Sequence, residues 1–178
     1  MDSFESIVAQ LLRAKGLWVQ TSVKINLSKA DKRAVGNPSM PRPEIDVVGY
    51  CGRTNTLLAL ECKSFLDSYG VNFDELCGNK PDDTYKLFRR DLLREMVLAR
   101  LAEQLTRQGM CRANPNVILG LIAGKVRKGE SGRIKQFFGQ RGWVFRGPRW
   151  LRREIKRLSD VGYENEVMTV VTKLLLRQ

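Results

Sequence analysis

Apolar residues recur at helical spacing at Phe4, Ile7, Val8, Leu11 and Leu12. Asp2 or Ser3 is placed to cap the start, and Gly16 follows Lys15 as a stop, so the pattern predicts a helix over Ser3 to Lys15. The period then changes from 3.6 to 2. Leu17, Val19, Thr21, Val23, Ile25 and Leu27 alternate with Trp18, Gln20, Ser22, Lys24 and Asn26, which predicts a strand along that whole stretch. Ser28 to Arg42 shows no apolar period and is rich in Lys, Arg, Gly and Pro, which reads as a loop. Two β-branched-rich segments follow, Ile45 to Gly49 and Leu57 to Cys62. Turn residues separate them, so they predict a hairpin.

Beyond the hairpin, Ser64 to Asp83 is irregular, with Gly70, Gly78 and Pro81. A long helix is expected from about Thr84 to Gln108, stopped by Gly109. Its basic and apolar residues share an arc, so it reads as mainly structural. Asn116 to Gly124 is a continuous apolar run bounded by Pro115, the signature of a central strand buried on both faces. Arg127 to Lys135 is basic and contains glycine. Trp143 to Phe145 suits a short edge strand, and Pro148 opens a helix at the position prolines favour. The last predicted helix, Tyr163 to Arg177, carries Val167, Val170, Val171, Leu174 and Leu175 at core spacing and reads as packing or as a dimer face.

The hairpin carries the candidate chemistry. Alternation puts Glu44, Asp46 and Val48 on one face of its first strand, and Glu61 and Lys63 on one face of its second, with Cys62 turned away. A register that sets Asp46 opposite Glu61 leaves residues 52–55 as the turn, an acceptable hairpin length. Two facing carboxylates on a largely apolar strand raise each other's pKa or require a cation between them. Mg²⁺ suits such a pair because it takes few protein oxygens and keeps several waters. Lys63 points at the same place, where an ammonium can orient a water or stabilise charge on a phosphoryl group.

An acid, a short hairpin and then Glu61-Cys62-Lys63 at the end of an apolar strand resembles the PD-(D/E)XK nuclease superfamily. Asp46 stands as the motif aspartate; the proline precedes Glu44 and not Asp46, so a shifted register would make Glu44 the ligand instead. The resemblance implies an α/β fold with a three-layer restriction-endonuclease-like core, in the order α-β-β-β-α-β around a mixed sheet, with a C-terminal helical addition. It implies a metal-dependent endonuclease acting on DNA, with Mg²⁺ or alternatively Mn²⁺ held by Asp46 and Glu61 and with Lys63 positioning the attacking water. Members of the superfamily often carry a metal-binding glutamate in the first helix, a role that falls on Glu5; the competing reading of Glu5 is a solvated residue favoured by the helix N-terminus.

At 178 residues the chain fits a single domain, with residues 1–124 as the nuclease-like core and 125–178 as the addition. Its 31 Lys and Arg against 19 Asp and Glu leave a net charge of +12, which points to a polyanion such as DNA. Lys29, Lys32, Arg33 and Arg42 would reach phosphates if the Ser28 to Arg42 loop lies by the site, the alternative being a merely mobile loop. Arg149, Arg152, Arg153, Lys156 and Arg157 occupy an arc of roughly 140° on the helix opened by Pro148. They read either as phosphate contacts or as a solvated face.

The chain has no histidine, which removes Ser-His and Cys-His hydrolases, histidine-metal nucleases and zinc deaminases. Cys51, Cys62, Cys77 and Cys111 show no Cys-x-x-Cys pair and read as free thiols. No long apolar run or signal-peptide start is present, so a cytoplasmic or nucleoid-associated protein is expected, with no membrane and no nucleotide cofactor. The alternative function is nucleic-acid binding on the same fold without hydrolysis. A basic protein-interaction or membrane-surface module is a third class, but it leaves the hairpin charges unexplained.

Overall fold

Asp2 and Glu5 cap the first helix reciprocally, the Asp2 carboxylate accepting from Phe4 N–H at 3.0 Å and Glu5 Oε2 accepting from Asp2 N–H at 3.4 Å. Helix α1 (Ser3–Arg13) turns at Gly16 into strand β1 (Trp18–Lys24), followed by helix α2 (Lys29–Ala34), strand β2 (Glu44–Cys51) and strand β3 (Thr56–Lys63). Short helices α3 (Phe73–Cys77) and α4 (Lys86–Arg89) precede the long helix α5 (Asp91–Arg107) and strand β4 (Asn116–Ala123). Helix α6 (Ser131–Gln140), strand β5 (Val144–Arg146) and helices α7 (Pro148–Leu158) and α8 (Val167–Leu176) complete the chain. This computed structural model describes residues 2–78, 83–162 and 165–176. Pro81 of the predicted irregular stretch, and Tyr163 and Arg177 of the predicted last helix, lie outside the described residues.

The five strands form one mixed sheet in the order β1-β2-β3-β4-β5, antiparallel across β1, β2 and β3 and parallel across β3, β4 and β5. Two apolar cores lie on its opposite faces. On one, Val8, Leu11 and Leu12 of α1 meet Leu151 and Leu158 of α7 over Val47, Leu60 and Ile122. On the other, Leu93, Val97, Leu101 and Leu105 of α5 meet Ile134 and Phe138 of α6 over Leu57, Ala59, Leu119 and Leu121. The result is an α/β sheet with helices on both sides. β4 is the central strand its apolar run predicted, and at Gly120 a Cβ would stand 2.6 Å from Leu60 Cδ2 and 2.9 Å from Val144 O, so only glycine lets β3 and β5 flank it this closely. Residues 125–178 add the parallel edge strand β5 to the sheet and Leu151 and Leu158 to a core.

Several expectations are corrected. The segment after β1 is not a plain loop: Ser28 and Asp31 form a capping box that starts α2, and Arg100 of α5 clamps the buried Asp31 at 2.8 Å. The long helix is broken at Arg90, whose backbone is extended. Phe88, which packs on Phe138 and Trp143, and Leu93 lie on either side of this break and are both buried. The predicted single face of β1 also fails, because Val19 lies in the α1 core while Val23 and Ile25 lie in the α5 core. Ser22 adopts a left-handed backbone (φ 53°) and interrupts the ladder between the pairs Thr21–Val47 and Val23–Ile45, turning the strand over. A helix the sequence reading missed, α6, buries Ile134 and Phe138. In α8 it is Thr169 and Thr172 that face inward, whereas Val167, Val171, Leu174 and Leu175 are exposed. That overturns the packing reading of α8 and leaves its apolar side as an exposed face.

The four cysteines are free thiols. Among the described residues no helix is long and apolar enough to cross a membrane.

Candidate active site

The hairpin turns at residues 52–55, with Asn55 in the left-handed region (φ 49°) and bound through its side chain to Tyr50 Oη at 3.0 Å and Ala113 O at 3.0 Å. This fixes the predicted register. Cys51 pairs with Thr56, and the ladder runs to Val47 opposite Leu60. The next positions are Asp46 and Glu61, and there the ladder stops. Cys62 N–H, left without a strand partner on that side, donates instead to Asp46 Oδ2 at 2.7 Å. The reversal at Ser22, which stands across from Asp46 on the other side, lies at the same level of the sheet. The strands part where a carboxylate has taken the place of a backbone acceptor.

The alternation of β3 sends Cys62 into the α1 core and Glu61 and Lys63 to the α5 side. Lys63 Nζ lies 3.8 Å from Glu61 Oε2, with their side chains 22% and 14% exposed, so neither charge is fully solvated. Burial, and then the neighbouring Asp46, push the Glu61 carboxyl up to about 7, opposed by Lys63 and Lys86. Burial also raises Asp46 above the ordinary aspartate range, while the Cys62 N–H and the Lys63 charge act against it. The Cys62 thiol is pushed far above its usual value by burial and by Asp46, Glu5 and Glu61, which excludes it as a thiolate nucleophile.

Glu5 is half-buried and its carboxyl is raised, first by burial and in part by Asp46, so α1 brings it within electrostatic reach of the pair. It also retains its capping contact. Among the described residues no group of three or more Cys, Asp or Glu is drawn together as a metal cage. The site is therefore a two-carboxylate pair with Glu5 at its margin. Glu44 is exposed at the edge of β2, and in this register it is Asp46 that reaches Glu61. Lys86, half-buried on α4, is a member of the site's charge field that the sequence reading assigned to a structural helix. The signal for it lay in the helix break, which periodicity alone did not reveal.

The expected phosphate contacts separate into two groups. Lys29, Arg33 and Arg42 are exposed and Lys32 is half-buried, on or near α2. On α7 all five basic residues are exposed, but they are not equivalent. Glu154, which lies among them in the sequence, is buried and takes Arg153 and Arg157 at 3.1 Å each and Lys15 at 2.7 Å. Against its burial, which acts the other way, the hydrogen bonds from Lys15 and Arg153 hold its carboxyl below the usual range. Arg149, Arg152 and Lys156 enter no ion pair among the described residues and are exposed.

Mg²⁺ fits this donor set. It is commonly held by one or two carboxylates, with waters and substrate phosphates completing its shell, and a dication between Asp46 and Glu61 would offset the burial that raises both carboxyls and the Asp46 charge that raises Glu61 further. No protein-family model, curated protein or solved structure matches this chain.

Proposed function

We propose that this protein is a Mg²⁺-dependent nuclease of the PD-(D/E)XK type that hydrolyses phosphodiester bonds in DNA. The observation that carries the proposal is the carboxylate pair at the end of the hairpin ladder, Asp46 on the Cys62 N–H and Glu61 beside Lys63. The succession α1-β1-β2-β3-α5-β4 around a mixed sheet supports it, as does the net charge of +12.

In this reading Asp46 and Glu61 hold the metal, which supplies charge neutralisation at the scissile phosphate when bound. Lys63 orients the attacking water and donates to the phosphoryl oxygens as negative charge builds on them. Lys86 adds a second positive charge on the α5 side. A protein that only bound DNA would gain nothing from two half-buried carboxylates turned toward a polyanion. Incubation with supercoiled, linear, single-stranded and branched DNA, with Mg²⁺, with Mn²⁺ or with chelator, tests the proposal. Products that form only with the metal are expected, and no cleavage of any form would overturn it.

Two further outcomes are expected. Glu5→Gln keeps an acceptor for Asp2 N–H, so the helix cap survives while the charge beside Asp46 is lost. The Mg²⁺ concentration for half-maximal cleavage should rise about tenfold, in line with residues that support a metal ligand; an unchanged metal dependence would leave Glu5 as a cap alone. Replacing Arg149, Arg152 and Lys156 together by Gln should make the plot of log affinity against log salt shallower by roughly two to three units, at about 0.9 per phosphate neutralised. A slope equal to the parent's, with unchanged circular dichroism, would mean that α7 is a solvated face.

A further inference from the structure

Strand β3 does not end in a polar turn. It leaves the site through Ser64 to Gly70, a segment that exposes two large apolar side chains, Leu66 at 62% and Tyr69 at 60%. Leu66 follows Lys63 by three residues, so the two Cα atoms are at most about 10 Å apart, roughly three base steps along a nucleic-acid strand.

The segment is held rather than loose. Gly124 N–H donates to Lys63 O at 2.8 Å, Lys125 Nζ to Leu66 O at 3.2 Å and Val71 N–H to Lys125 O at 3.0 Å, and Val71 bridges to Val126. Ser68 N–H and Oγ both donate to Phe65 O, at 3.2 and 3.1 Å, and close the tip. At Gly70 (φ 89°) a Cβ would stand 2.8 Å from Lys125 C and Val126 N, so the tip docks on the post-β4 backbone as closely as glycine allows. Tyr69 Oη donates to Glu75 Oε1 at 2.7 Å, which anchors the phenol while most of the residue stays in solvent.

A pinned tip that leaves two large apolar residues in solvent, beside exposed Lys125 and Arg127, has the composition of a surface that takes planar apolar rings next to phosphates. We infer that Leu66 and Tyr69 form a ledge for unpaired nucleobases, so that the site acts on DNA in which the strand beside the scissile phosphate is single-stranded. Phosphates engage the cations, one base stacks on the Tyr69 ring, and Leu66 packs against the next base or wedges at the edge of a duplex. Paired bases keep their faces in the stack and cannot use the ledge. The inference rests on the nuclease reading for the placement of the scissile phosphate. It does not require hydrolysis for its test.

Binding is measured in chelator by fluorescence anisotropy, on a single-stranded oligonucleotide, a blunt duplex and a duplex with a single-stranded flap. The proteins are the parent, Leu66→Ser with Tyr69→Ala, and Tyr69→Phe. The double variant is expected to lose about tenfold to a hundredfold in affinity for the single strand and the flap, as loss of one base stack would give, and to keep the parent's affinity for the blunt duplex. Tyr69→Phe, which retains the ring, should bind like the parent, and 2-aminopurine fluorescence quenched by the parent should be relieved only in the double variant. An equal loss on all three DNAs, no loss on any, or no binding by the parent overturns the ledge. Parent protein that discriminates as expected yet never cleaves with Mg²⁺ would overturn the nuclease reading and leave the ledge standing.

Discussion

Asp46→Asn is expected to lower Mg²⁺-dependent cleavage by roughly a thousandfold while leaving DNA affinity in chelator within about twofold of the parent's. A bound metal supplies several kcal/mol of transition-state charge stabilisation, and each 1.4 kcal/mol is a factor of ten in rate. Asparagine retains a carbonyl oxygen that can accept the Cys62 N–H, now bonded at 2.7 Å, so the parting of β2 from β3 should survive. The fold is not what the substitution removes. The parent's near-ultraviolet circular dichroism and unfolding midpoint, compared with the variant's, check this. Cleavage retained within tenfold in a folded Asp46→Asn variant would show that the metal is held elsewhere, and Glu44→Gln would be the next variant to assay.

The second large effect appears in stability. Glu61 has a carboxyl raised to about 7 in the folded protein, so between the ordinary glutamate range and pH 7 the folded state binds a proton that the unfolded chain has released. Stability from this group is therefore full below about pH 4.5 and is lost as the pH rises toward and past 7. The shift corresponds to about 3 kcal/mol at most. Glu61→Gln removes that penalty and should unfold about 5–10 °C above the parent at pH 8 in chelator, with the difference closing toward pH 4.5. Adding Mg²⁺ at pH 8 should raise the midpoint of the parent and not that of the variant, because only the parent offers both carboxylates. A midpoint difference independent of pH would sink the assignment of Glu61 as the buried, proton-retaining member of the pair. Cleavage by this variant is expected to be lost as in Asp46→Asn.

The two effects have one origin. A carboxylate pair taken out of water destabilises the apo protein at neutral pH and is relieved by the cation it would use. The sequence arranges this economically: the turn at 52–55 sets the register, and the register alone decides that Asp46 and Glu61 arrive at the same level. Cys62, between Glu61 and Lys63, is directed into the α1 core, where its thiol packs and does no chemistry.

Wherever one local rule governed, the chain by itself determined the outcome. The reciprocal cap at Asp2 and Glu5, the proline opening α7, the central strand β4 and the turn at 52–55 all follow from interactions among residues close in sequence. The facing carboxylates belong to this class too, because in a hairpin the turn fixes the pairing of residues far along both arms. Tertiary structure decided what depends on distant partners. The Ser28 and Asp31 capping box of α2 is local, but only the distant Arg100 guanidinium supplies the partner that lets Asp31 be buried there. The extended backbone at Arg90 separates α4 from α5, and Lys86 on α4 lies in the charge field of Glu61. Only the reversed backbone at Ser22 moves Val23 to the opposite core from Val19. On α7 the spacing showed five cations in one arc, and the inward turn of Glu154 then paired two of them, Arg153 and Arg157, because a buried carboxylate needs cations beside it.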